Sequence, residues 1–170
     1  VLRKNDIVIG ITQSGETADT LAAMRMAREA GAKVVAVTNI MGSRATRDSD
    51  AVLFTRAGLE IGVAATKTFV SQVAAMYLIA LKLAELKGEL GADERREIIS
   101  ELRKLPHYLQ EMIPGDDERA RKIAEHWWNA DFFLYLGRHV GLGVALEGAL
   151  KLKEVSYIPT DAYAAGEMKH

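Results

Sequence analysis

Apolar residues change period repeatedly along the chain. Ile7-Val8-Ile9 is a short continuous apolar run, as a buried strand requires, and Lys33-Val-Val-Ala-Val-Thr38 and Ala51-Val-Leu-Phe54 repeat the pattern. Between the first two, Leu21, Met24, Ala27 and Ala30 share one face of a helix expected over 16–30, and Gly31 supplies its stop. Strands separated by one helix predict parallel pairing through a crossover. Residues 39–48, with Gly42 and Ser43, read as a loop or short helix. A long apolar helix is expected over 66–87, closed by Gly88. A second should run from Asp93 to Ile113, bent or interrupted at Pro106. Pro114-Gly115-Asp116-Asp117 is the clearest linker signal. The pattern then restarts with a helix over 118–129, a strand over 132–136 and a helix over 143–157. Asp161 to His170 reads as irregular or a short helix. The fold class is therefore α/β, and the segment after the linker reads as the opening of a second α/β unit.

Composition narrows this picture only slightly. The 170 residues are 49% apolar and 26% charged, with a formal charge of −1, which gives no sign of a nucleic-acid or membrane partner. The absence of cysteine excludes disulfides, cysteine nucleophiles and thiolate metal sites, and fits a reducing compartment. The longest apolar stretch, Val73 to Leu83, contains Lys82 and is too short to span a bilayer. A cytoplasmic protein is the expectation. The chain begins on Val1 within an approach to a strand and ends at His170 without a closing signal, which suggests a piece of a longer protein.

Three segments could carry chemistry. Gly10-Ile-Thr-Gln-Ser-Gly-Glu-Thr17 lies where a strand ends and a helix begins, a position with free N–H groups and a positive dipole end. Thr12, Gln13, Ser14 and Thr17 add neutral donors and Gly15 permits close approach, so a phosphate is the favoured ligand. An ordinary turn capped by one hydroxyl is the plainer reading, but it leaves the other donors without a role. Glu60-Ile-Gly-Val-Ala-Ala-Thr-Lys-Thr68 is a small-residue entry to the long helix, where Val63 to Ala65 could approach a ligand. Close packing of that helix accounts for the same residues equally well. Glu147, Lys151 and Glu154 share a helical face, which by itself indicates no more than a surface ion-pair ladder.

Taken together with Ala145 to Tyr157 and Ala162-Tyr-Ala-Ala-Gly-Glu-Met-Lys-His170, these motifs stand in an order that resembles the isomerase half of the glucosamine-6-phosphate synthases. That half consists of two sugar isomerase (SIS) domains, each a doubly wound parallel sheet flanked by helices. The resemblance covers essentially the whole chain. It implies a first SIS domain over 1–114, lacking its N-terminal part, and the beginning of a second over 115–170. It further implies that Thr12, Gln13, Ser14 and Thr17 bind the phosphate of fructose 6-phosphate, and that Val63 and Ala65 line the sugar site. Glu154 would move a proton between C1 and C2, Lys151 would assist at the sugar oxygens, and His170 would serve ring opening from the neighbouring subunit. Ala65 stands where the family often has serine, and Thr12 where serine is common.

The product would be glucosamine 6-phosphate, the assembly a homodimer, and the ammonia source a glutaminase domain of the same protein. No cofactor or metal is implied, and His107, His126 and His139 read as ordinary surface or packing residues. A related deglycase of fructosamine 6-phosphate would share the phosphate loop and the glutamate. A non-catalytic sugar-phosphate sensor would share only the loop.

Overall fold

A computed structural model describes residues 1–169. The chain folds as two compact units, Val1–Ile99 and Ser100–His170. In the first, β1 (Ile7–Ile11), β2 (Lys33–Thr38) and β3 (Ala51–Phe54) form a parallel sheet in the order β1-β2-β3. Ile7 pairs with Lys33 and Ile11 with Val37, while Val35 faces Ala51. Helix α1 (Ala18–Glu29) buries Leu21, Met24 and Ala27 against Val34 and Ala36 of β2. Burial of apolar side chains of this size stabilises by roughly 1.5–3 kcal/mol each. The three-residue spacing of those positions is what makes the segment a helix, and Gly31, at φ 84°, turns the chain out of it.

The short helix α2 (Arg44–Arg47) follows, then α3 (Lys67–Lys87), which ends on Gly88 in the left-handed region. Helix α3 is longer than the apolar stretch the sequence suggested. With a mean hydropathy of 1.5 over an 18-residue window, it is long and apolar enough to cross a membrane by length and composition alone. In this unit it buries Thr68, Ala75 and Leu81.

Two expectations fail after residue 90. Helix α4 (Ala92–Trp127) runs unbroken through Pro106 and through Pro114-Gly115-Asp116-Asp117, so the chain stays helical where a bend and an irregular linker were expected. A proline inside a helix costs about 3 kcal/mol. Along α4 the helical spacing instead aligns opposite charges, including Lys104–Glu101, Arg119–Asp116, Arg121–Asp117 and Lys122–Glu118. Each such pair adds only tenths of a kcal/mol, but the helical pattern is continuous where the turn signal was purely local.

The second correction is β5 (Thr160–Ala164), a strand where irregular chain was expected. It pairs parallel with β4 (Phe133–Gly137), Tyr135 opposite Ala162. Helix α5 (Val140–Ser156) connects the two and buries Ala145 and Ala149. Its approach to β4 depends on glycine. A Cβ on Gly148 would stand 2.9 Å from the Tyr135 ring, and one on Gly137 would stand 2.4 Å from the Gly141 carbonyl oxygen.

The two contacts differ in what can yield. Tyr135 is a side chain, whereas Gly137 meets backbone. We expect Gly137→Ala to destabilise the second unit by about 1–3 kcal/mol, read as a lower urea midpoint, because overpacking here must displace the chain itself. Wild-type stability in that variant would show that the β4–α5 turn is not as tightly constrained as its geometry indicates.

Candidate functional site

The loop 12–17 sits at the carboxyl end of β1, and its backbone polarity is sorted. Two of its carbonyls turn toward the protein. Gln13 O accepts from Asn39 N at 3.1 Å and from Thr38 Oγ1 at 3.3 Å. Gly15 O accepts from Ala45 N at 2.9 Å. Among the described residues, no protein acceptor takes the N–H of Gln13, Ser14 or Thr17. Inward carbonyls and unclaimed amides at the start of α1 are the arrangement that suits an anion.

The predicted donors divide by role. Thr12 is buried, and its Oγ1 accepts from Gly15 N at 3.1 Å and lies 3.3 Å from Thr17 Oγ1. It braces the loop. Ser14 Oγ accepts from Glu16 N at 3.2 Å. Thr17 occupies the N-cap position of α1 but makes no side-chain capping bond, so its exposed hydroxyl is not consumed by the helix. Gly15 is required twice over. Its φ is 72°, and a Cβ there would stand 2.1 Å from Ser43 Oγ, a buried hydroxyl without a partner.

Beside the loop, an open cavity of about 600 Å³ lies at the carboxyl ends of β2 and β3, lined in part by Asn39, Phe54, Arg56 and Leu59. Ligands of open α/β sheets bind at this end of the strands. Asn39 fixes the wall. Its Oδ1 accepts from Thr55 Oγ1 at 3.1 Å and Ala57 N at 2.9 Å, and its Nδ2 donates to Gly58 O at 2.7 Å. Arg56 is thereby held at φ 52°, a conformation uncommon outside glycine.

Val63 and Ala65 occupy the segment entering α3, Val63 fully exposed and Ala65 half-buried. That segment is clamped by Glu60, whose carboxylate accepts from Thr68 Oγ1 at 2.7 Å and Thr68 N at 3.1 Å. It also accepts from Thr66 N at 3.3 Å and Thr66 Oγ1 at 3.1 Å. Four donors, the Thr68 hydroxyl foremost, outweigh desolvation and lower the Glu60 pKa from 4.5 to about 2.

In the second unit, α5 presents Lys151 between two carboxylates, with Nζ 2.6 Å from Glu154 Oε2 and 3.5 Å from Glu147 Oε1. These side chains are 24%, 33% and 24% exposed for Lys151, Glu154 and Glu147, unlike the Arg121–Asp117 pair of α4 at 63% and 73%. Burial pulls the Lys151 ammonium down, but Glu154 and Glu147 prevail and hold its pKa above the ordinary lysine value. Lys151 is therefore a cation, not a base. His170 lies outside the described residues. Among the described residues no group of three or more His, Cys, Asp and Glu could hold a metal.

Sequence reasoning missed Thr38, Asn39 and Ser43, which act on the loop from the next strand and helix. It also missed the role of Glu60, although an acid ahead of Thr66 and Thr68 at a helix start was visible.

Comparison with known proteins shows what this geometry is similar to. The SIS domain profile matches residues 1–82. The isomerizing glutamine–fructose-6-phosphate aminotransferase of Corynebacterium glutamicum is 49% identical over all 170 residues, and that of Mycolicibacterium smegmatis is 51% identical. The chain spans 27% of the length of either relative. The C-terminal domain of glucosamine-fructose-6-phosphate aminotransferase from Francisella tularensis superposes with a TM-score of 0.92 at 37% identity, covering 96% of this chain and 46% of that one. The α/β SIS fold is thus established, and the chain resembles part of the isomerase region of these aminotransferases.

The Glu60 clamp has a pH signature. Its pKa in the folded protein lies below its ordinary value, so its stabilisation is fully present above pH 4.5 and is lost as the pH falls toward about 2. Unfolding of wild type and Glu60→Gln compared over that window should show the wild-type advantage shrinking with acidity. A difference independent of pH would mean that ionised Glu60 is not what fastens the α3 entry.

Proposed function

We propose that the chain is the sugar-isomerase part of an isomerizing glutamine–fructose-6-phosphate aminotransferase. It would convert fructose 6-phosphate and glutamine-derived ammonia to glucosamine 6-phosphate. The observation that carries this reading is the partly buried Glu147–Lys151–Glu154 cluster, in a chain that also bears the outward amides of loop 12–17. A sensor needs the loop but has no use for a carboxylate held against a cation on a separate element.

In this reading Gln13, Ser14 and Thr17, with their backbone N–H groups, hold the phosphate, and Thr12 keeps the loop in shape. Val63 and Ala65 present the clamped segment to the sugar. Ammonia condenses at the C2 carbonyl with loss of water to give an imine. Glu154 takes a proton from C1 and returns it to C2, and the imine nitrogen gains a proton as the C1 hydroxyl loses one, leaving the 2-amino aldose. Lys151, kept protonated by its neighbours, stabilises negative charge developing on the sugar oxygens. His170 would assist ring opening, because an imidazole can donate a proton near neutral pH. A glutaminase domain of the same protein, a homodimeric assembly, a cytoplasmic location and the division into SIS domains at 114/115 belong to the same proposal.

Two variants of the full-length protein test it by different readouts. Glu154→Gln should lower kcat for glucosamine 6-phosphate formation about 10²–10⁴-fold while sparing sugar binding and glutamine hydrolysis. Replacing Ser14 and Thr17 together by alanine should instead raise the KM for fructose 6-phosphate, at about 1.5–3 kcal/mol per lost contact to the charged group. Near-normal turnover in the first variant would return Glu154 to a structural ion pair. An unchanged KM in the second would remove the phosphate from this loop.

A further inference from the structure

Loop 12–17 contains a residue that an anion site should avoid. Glu16 places a carboxylate among the very amides proposed to meet a phosphate, where like charge would oppose binding. Its side chain does not face that way. Glu16 Oε1 accepts from Arg44 N at 2.7 Å, 28 residues further along the chain. Next to it, Gly15 O accepts from Ala45 N at 2.9 Å. The first two N–H groups of α2 are thus spent on two successive loop residues, one through a side chain and one through the backbone. Gln13 O is held in the same manner from Asn39 and Thr38.

From this we infer that Glu16 is a positioning residue. By accepting from the Arg44 amide it straps α2 to the loop, and so holds the loop in the shape that leaves the Ser14 and Thr17 amides without a protein acceptor. The inference rests on the phosphate role proposed for this loop and assigns it a tether that neither hydroxyls nor glycine supply. What matters is the acceptor oxygen turned toward α2, not the charge. An amide at position 16 should therefore do the same work.

Arg44 allows the bond to be removed without touching the loop. It is the first residue of α2, where proline is favoured because the missing N–H is not needed by the helix. Ser43 before it has φ −66° and ψ 166°, the extended conformation a following proline demands. Arg44→Pro therefore deletes the donor, and Arg44→Ala keeps it while removing the same side chain and its pairing with Asp48.

Fructose 6-phosphate, inorganic phosphate and fructose titrated calorimetrically into the full-length protein supply the test. Glu16→Ala and Arg44→Pro should each weaken both phosphate-bearing probes about tenfold, with fructose binding unchanged. Glu16→Gln and Arg44→Ala should remain within about twofold of wild type, and the Glu16→Ala/Arg44→Pro double variant should be no weaker than either single one. Wild-type affinity in Arg44→Pro, or an Arg44→Ala variant as weak as Arg44→Pro, would overturn the strap. So would a Glu16→Gln variant as weak as Glu16→Ala. Failure of the wild type itself to bind either phosphate probe would remove the phosphate role of the loop and the strap with it.

Discussion

The constraint on which the first unit depends is the parallel pairing of β1 with β2. It brings the carboxyl ends of both strands level, so that Thr12 N meets Val37 O and Gln13 O meets the Asn39 amide and Thr38 hydroxyl. Once the Gln13 and Gly15 carbonyls are satisfied from β2 and α2, and the Gly15 and Glu16 amides by Thr12 and Ser14, the amides of Gln13, Ser14 and Thr17 remain without a protein acceptor among the described residues. A buried carbonyl without a partner would cost about 1–3 kcal/mol, so the sorting of loop polarity is enforced by the fold and does not require a ligand to induce it. An anion arriving there finds the reorganisation already done, which is how neutral donors can serve without lysine or arginine in the loop.

The same logic separates the three acidic residues near proposed chemistry. Glu60 is surrounded by hydroxyl and amide donors, so it stays ionised and works as a clasp. Glu16 is spent on a single backbone amide. Glu154 alone shares its charge with a lysine that a second carboxylate also claims, which leaves it oxygen capacity beyond its one short contact. A carboxylate that must accept and return a proton needs that spare capacity. A clasp does not.

How much of this was legible in the sequence follows from the range of the interactions. The strands β1, β2 and β3 and helix α1 were readable because short apolar runs and one apolar stripe impose a local period, which Val34, Leu21 and Met24 display directly by their burial, although Ile7 and Ile11 of β1 stay exposed. Strand β5 was not, since Thr160-Asp-Ala-Tyr-Ala164 contains little that favours a strand and owes its conformation to β4, more than twenty residues earlier. Helix α4 was misread for the opposite reason. Pro106 and Pro114-Gly115 are strong local signals, yet they were overridden by a helical pattern that extends on both sides of them. The position of the anion loop was legible from its strand-to-helix setting. Its tethers were not, because Thr38, Asn39, Arg44 and Ala45 act through backbone groups or lie 25 or more residues away.

Backbone tethers also explain why a loop of this kind can tolerate exchange among its hydroxyl residues. The Thr12 Oγ1 makes a contact that a serine hydroxyl would make equally, to the Gly15 amide. The extra methyl of threonine is buried with the rest of the side chain, at 5% exposure, and adds packing without disturbing the bond. Gly15 has no such latitude, because its positive φ and the adjoining Ser43 hydroxyl both forbid a Cβ. The residues that fix loop shape are therefore those facing β2 and α2, and the residues free to define the ligand are those whose groups the fold leaves unclaimed. Ser14 and Thr17 belong to the second set by virtue of their amides, whereas the Thr17 hydroxyl lies against that of Thr12 at 3.3 Å.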